Sequence, residues 1–178
     1  MIDIHQLLAE IVDAGARLIL IDGRGGAGKS TAAKQIVDKL QELNRSAEHF
    51  NLDQYQEESA DLFSQKNIEL GFDIDFQGRP YDLKKLTRAL EYSSAEFKIV
   101  EGCFSFKIAE LLDPDLKVWV ELDVMVAADR LNKREMVDRP EISSDIIELS
   151  TLKWQESEDK YIDEYHPAEI ADVVLNNS

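Results

Sequence analysis

The sequence predicts an α/β protein, a three-layer α/β/α sandwich around a mainly parallel sheet of about five strands. Three observations predict it. Short apolar runs alternate with stretches of helical periodicity along the chain. A glycine-rich turn, Gly23 to Ser30, sits between the first such run and the helix after it. The composition, 44% hydrophobic and 31% charged over 178 residues, is globular, and one domain over 1–178 is expected.

Taken in order, Ile4, Leu7, Leu8 and Ile11 recur at helical spacing, with Gly15 placed to end that helix. Residues 17–23, RLILIDG, form a continuous apolar run that suits a strand buried on both faces. Ile36, Leu40 and Leu43 then mark a helix over 29–43. Further strands are expected at Ala47–Asn51, Phe97–Glu101, Leu116–Leu122 and Ala171–Leu175. Helices fall between them at Leu83–Tyr92, Ser105–Leu112, Val124–Val137 and Ser144–Tyr165. The stretch 54–80 is weakly patterned and long for a connection, and such loops are often functional.

Twenty Lys and Arg against thirty-six Asp and Glu give a net charge of −16. That field repels a phosphate backbone, so nucleic acid is not an expected partner. No apolar run approaches a membrane span, and the N-terminal residues lack the cations of a secretion signal. The single cysteine, Cys103, has no internal disulfide partner, which agrees with a reducing cytoplasm. Following an apolar strand with no nearby His, it reads as a small hydrophobe, not a nucleophile.

Gly23-Arg24-Gly25-Gly26-Ala27-Gly28-Lys29-Ser30 matches G-x-x-x-x-G-K-[ST] at every fixed position, the P-loop or Walker A pattern. Glycines let successive N–H groups turn inward toward phosphate oxygens, and the helix beginning there adds its positive end. Gly23, Gly25, Gly26, Ala27, Gly28, Lys29, Ser30 and Thr31 are therefore expected to hold a nucleoside triphosphate. Lys29 reaches the β- and γ-phosphates, and the Ser30 hydroxyl is a Mg²⁺ ligand. A guanine-reading element would end in Asp. The one look-alike, Asn132-Lys133-Arg134-Glu135, ends in Glu inside an expected helix. Large ATPase machines carry domains for which this chain is short. A small phosphotransferase using ATP and a small-molecule acceptor remains.

Phosphoryl transfer to an alcohol needs a carboxylate beside the acceptor hydroxyl, and in α/β sheets ligand groups gather beyond the carboxyl ends of strands. Asp53, after the strand that ends in HFNLD, is the expected base; a helix N-cap is its alternative use. Glu101 ends the apolar strand FKIVE directly before Gly102, as a second Mg²⁺ group or as a solvated acid. Arg130 and Arg134 stand four apart on one helix face. With Lys133 and Arg139 they either close over the triphosphate or pair with Asp129, Glu135 and Asp138. Tyr81, after Pro80, is placed to face the acceptor, although core packing accounts for most such aromatics.

The order IDGRGGAGKST, LDQY, KIVEG, RLNKRE and YHPAEIADVVLNN resembles the uridine kinase-like group of P-loop kinases, over about Arg17 to Asn177. The resemblance implies a P-loop NTPase fold with a helical lid at about 130–143 and transfer of the γ-phosphate of Mg·ATP to a hydroxyl, a nucleoside 5′-hydroxyl in the first instance. It implies Asp53 with Tyr55 as the general base element, Glu101-Gly102 after the apolar strand, and Arg130, Arg134 and Arg139 in the lid. The sequence departs from the group's pattern where Glu135 follows Arg134 and Asp138 precedes Arg139. The segment Gly71-Phe72-Asp73-Ile74-Asp75 lacks the group's His-Pro, leaving Asp73 as a candidate for acceptor hydroxyls. Acceptors of pantothenate, sugar or nicotinamide riboside type, and a regulator that binds nucleotide without transfer, stay open.

Overall fold

Helix α1, Ile4–Asp13, begins where the Asp3 side chain accepts from the amides of His5 and Gln6 while Gln6 Oε1 accepts from the Asp3 amide. This reciprocal box satisfies first-turn donors that the helix itself cannot. The computed structural model describes residues 1–56 and 81–177. The elements that follow are β1 (Leu18–Gly23), α2 (Lys29–Glu42), β2 (Ala47–Asn51) and a 3₁₀ turn at Leu52–Tyr55. Then come α3 (Leu83–Tyr92), β3 (Phe97–Glu101), a 3₁₀ turn at Ser105–Ile108, α4 (Ala109–Leu112) and β4 (Leu116–Glu121). The chain continues through α5 (Val124–Asp138), α6 (Ser144–Tyr165), α7 (Pro167–Ile170) and β5 (Val173–Asn176).

The five strands form one all-parallel sheet in the order β2-β3-β1-β4-β5. β1 is central, with Leu20 opposite Val100 of β3 and Lys117 of β4. Its residues Ile19, Leu20 and Ile21 are all fully buried, as a continuous apolar run predicts for a strand covered on both faces. Alternation sends them to different layers. Ile19 and Ile21 pack with Leu7, Ile11, Ile36 and Leu40 of α1 and α2. Leu20 packs with Phe50, Leu52, Leu86, Val100 and Phe106 on the opposite side. An aromatic cluster of Phe104, Trp119, Trp154 and Tyr161 continues that second layer under α5 and α6. Each such fully buried side chain contributes about 2 kcal/mol of transfer free energy.

The expected α/β/α sandwich is the observed architecture. Two local differences have physical causes. The expected helix over Ser105–Leu112 is split into the 3₁₀ turn and α4, because the Ser105 hydroxyl donates to Ile21 O and the Phe106 amide to Asp22 Oδ2. Those contacts pull the segment down onto β1. The last strand starts at Val173 instead of Ala171: the Asp172 amide still donates to Lys117 O, but the Lys117 amide is taken by the Asp172 carboxylate and not by a backbone carbonyl.

Candidate active site

The P-loop is built by its neighbours as much as by its own glycines. Gly26 and Gly28 have φ of +80° and +95°, conformations that side chains resist. A Cβ on Gly26 would also run into the Ala127 carbonyl of α5. Three residues of α6 hold the loop and the strand that leads into it. The Tyr161 hydroxyl donates to Asp22 Oδ2 at 2.7 Å, the Asp159 carboxylate meets Arg24 at 2.6 Å, and Glu158 Oε1 accepts from the Gly25 amide at 2.5 Å. From the other side, Asn177 Nδ2 donates to Ala27 O at 2.6 Å. Gly28 is the left-handed N-cap of α2, so the amides of Lys29, Ser30 and Thr31 fall in the first turn, where a helix offers no backbone partner.

Lys29 is buried, with Nζ donating to Gly23 O at 3.0 Å and Arg24 O at 2.9 Å and standing 3.0 Å from Cys103 Sγ. Burial works against its charge, but the Cys103 sulfur and the carboxylates of Glu101 and Glu158 hold its pKa above the ordinary lysine value. Burial also pushes the Cys103 thiol up to about 12, so it stays protonated near neutrality. Asp22 is fully buried, which raises its pKa despite donors from Gly23, Phe106 and Tyr161. Glu158 is nearly as buried, and its pKa is pushed up to about 7 against the pull of Gly25, Lys29, Trp154 and Arg24.

A cavity of about 420 Å³ opens beside the loop, and Gly25, Gly26, Lys29, Ser30, Asp53, Glu101, Arg134 and Arg139 all line it. Segments more than a hundred residues apart thus meet at the carboxyl end of the sheet. Asp53 is exposed in the 3₁₀ turn after β2, its carboxylate accepting from Gln56 Nε2 at 2.8 Å. It caps no helix: Asn51 is the turn's N-cap and accepts from the Asp53 amide. Glu101 is buried at the end of β3, with His49 Nε2 3.2 Å from its Oε1. Gly102 follows because a Cβ there would collide with the Leu52 side chain. Across the cavity, Glu135 Oε1 accepts from Arg134 at 2.8 Å and Glu135 Oε2 from Arg139 at 3.2 Å, gathering both guanidiniums at one edge.

Other expected residues lie elsewhere. Arg130 is exposed on α5 and outside the cavity lining. The Tyr55 ring is buried with Leu86 and Leu90 in the second core layer, and Tyr81 packs against that layer while its hydroxyl donates to Cys103 O at 2.9 Å. Asp73, and most of the stretch 54–80, lie outside the described residues. Among the described residues no helix is long and apolar enough to cross a membrane, and no cluster of three His, Cys, Asp or Glu could hold a metal. Among the oxygen groups lining the cavity, the Ser30 hydroxyl and the Glu101 and Asp53 carboxylates suit an ion that takes one or two carboxylates and completes its shell with phosphates and water.

No protein-family model matches the chain. A cytidylate kinase from Methanocaldococcus jannaschii is 23% identical over 168 residues, covering 90% of this chain and 88% of that protein. A candidate uridine kinase from Bacillus stearothermophilus superposes with a TM-score of 0.64 at 22% identity, covering 97% of this chain and 96% of its own. A candidate fructose transport system kinase from Silicibacter sp. TM1040 also gives 0.64, at 14% identity, covering 98% of this chain and all of its own. The fold is that of the P-loop kinases.

Several residues of this corner are not marked by any sequence motif. Ser150, Thr151 and Trp154 of α6 line the cavity, with the Ser150 hydroxyl buried and lacking a hydrogen-bond partner. Trp154 Nε1 donates to Glu158 Oε1 at 2.6 Å. The available signal is periodicity. Ser150, Trp154, Glu158 and Tyr161 repeat at helical spacing, so polar groups stand on the buried stripe of α6, where an acid needs a partner.

Proposed function

We propose that this protein is a Mg²⁺-dependent kinase that moves the γ-phosphate of ATP to the hydroxyl of a small molecule, with a nucleoside 5′-hydroxyl as the leading acceptor. The observation that carries the reading is the cavity itself. It joins the P-loop, with Lys29 and Ser30, to Asp53 and Glu101 on one side and to Arg134 and Arg139 on the other. Asp53 takes the proton of the acceptor hydroxyl as its oxygen attacks the γ-phosphorus, while the bond to the β-phosphate oxygen breaks and ADP leaves. Lys29 and the loop amides hold the phosphates throughout, and Arg134 and Arg139 face the charge on the transferring group. Ser30 and Glu101 would hold Mg²⁺, which would supply further charge neutralisation. Arg130 is given no direct part, because it stands outside the cavity.

The test is ADP release from Mg·ATP across a panel of nucleosides, sugars and other metabolite alcohols. Stimulation by one acceptor class supports the reading and names the substrate. Tight Mg·ATP binding with no stimulation by any acceptor favours a nucleotide-binding regulator. Asp53→Asn is expected to abolish transfer while nucleotide binding survives; turnover at the wild-type rate would sink the assignment of Asp53. A second reading, an acceptor that already carries a phosphate, draws on the paired Arg134 and Arg139 and on the likeness to a cytidylate kinase, so CMP belongs in the panel.

A further inference from the structure

The Gly25 amide lies in the loop that should receive phosphate oxygens, yet its partner here is a carboxylate of the protein. Glu158 reaches it from α6, more than a hundred residues along the chain, and is anchored by the Trp154 indole at 2.6 Å. Its second oxygen stands 3.8 Å from Arg24 Nη1. The loop presents Arg24, α2 presents Lys29, and the turn after β3 presents Cys103, which stays protonated near neutrality. On α6 itself Asp159 is turned to Arg24, and Leu131 of α5 is the apolar neighbour beside Gly25.

We propose that Glu158 is a positioning residue of the P-loop, which holds the loop through the Gly25 amide and takes up a proton from solvent when a nucleoside triphosphate enters. The inference rests on the reading of Gly23–Ser30 as a triphosphate site. The physical reason is charge. Mg·ATP brings net negative charge against Lys29, the cation that otherwise helps keep Glu158 ionised, in a corner where water screens little. The ionised carboxylate repels the phosphates, and the neutral acid does not. A protonated carboxyl still offers an acceptor oxygen to the Gly25 amide, so the loop need not lose its support. Burial has already brought this group to about 7, so the uptake falls near neutrality. Triphosphate raises that value further. Affinity is therefore greatest at low pH and declines as pH rises through 7, until the bound-state value is passed.

The experiment is calorimetric binding of Mg·ATP, without acceptor, to the full chain between pH 6 and 8.5, in buffers of different ionisation enthalpy. Wild type is expected to take up a fraction of a proton near pH 7.5, and its affinity to fall by up to about tenfold per pH unit above 7. Glu158→Gln, which keeps an acceptor oxygen and loses the charge, should take up no proton there and bind with nearly constant affinity. Uptake and slope unchanged in Glu158→Gln overturn the inference. Should that variant not fold, Trp154→Phe removes one donor to the carboxylate and should move the midpoint upward; an unmoved midpoint overturns it equally. A wild-type chain that binds no Mg·ATP overturns the triphosphate reading and the inference with it, whereas binding with persistent uptake in Glu158→Gln overturns the inference alone.

Discussion

The sulfur of Cys103 lies 3.0 Å from Nζ of Lys29, so the only thiol of the chain faces the lysine of the phosphate loop. Cys103 is half-buried and lines the cavity; proximity to a cation lowers a thiol pKa, but desolvation is the larger effect and takes it to about 12. The thiolate fraction at pH 7.5 is then smaller than that of a free cysteine by about three orders of magnitude. Iodoacetamide labelling followed by intact mass should be correspondingly slow in the folded chain and fast in denaturant. Rapid labelling of the native protein would contradict this geometry. Cys103→Ser should keep turnover within about threefold, because no step uses the sulfur.

Gly26 tests the fit between the loop and α5. Gly26→Ala places a Cβ against the Ala127 carbonyl at a φ of +80°, whereas Gly15→Ala meets a φ of +65° in open space. Both substitutions incur about 1–2 kcal/mol for the left-handed conformation. Gly26→Ala should cost measurably more than Gly15→Ala in urea denaturation, and it alone should weaken Mg·ATP binding. Equal midpoints for the two variants would mean the loop relaxes away from α5.

Arg134 and Arg130 share a helix face in the sequence but not a destination in the fold. Arg134→Ala should lower kcat by about 100-fold, the scale of removing one donor from a developing anion. Arg130→Ala should change kcat by less than about threefold. The comparison is steady-state kinetics with whichever acceptor proves active, and a reversed ranking would place Arg130 in the working site.

Stability should also register Glu158. Its folded-state pKa is raised, from an unfolded value near 4.5 to about 7, so the native state binds the extra proton between those limits. Stability from this group is full below 4.5, declines as pH rises toward 7, and is level above. By 2.303RT per unit this amounts to on the order of 3 kcal/mol. Urea denaturation of wild type and Glu158→Gln across pH 4.5–7.5 should show Gln gaining on Glu as pH rises. A difference constant with pH would refute it.

Much of the fold was legible because its signals are local. Ala47–Asn51, Phe97–Glu101, Leu83–Tyr92 and Ser144–Tyr165 carry patterns that end where the observed elements end. The P-loop is contiguous, and strand-end acids such as Asp53 and Glu101 are marked by the strands that precede them. Strand order and the grip of α6 on the loop are not local. Nothing near Glu158 in the chain announces Gly25, and nothing near Tyr161 announces Asp22, because each pair is joined only when the sheet is assembled. Tyr55 misleads for the same reason. Its place beside Asp53 suggests a part in the base element, whereas its ring packs against Leu86 in the core.

Asn177 has a reach beyond its side-chain hydrogen bond to Ala27. It stands just past β5, where the edge strand leaves the sheet, and its side chain braces the loop from behind against Gly28. The Asn177 backbone amide also donates to Glu121 O, so any displacement at this edge of the sheet is passed straight to the phosphate loop.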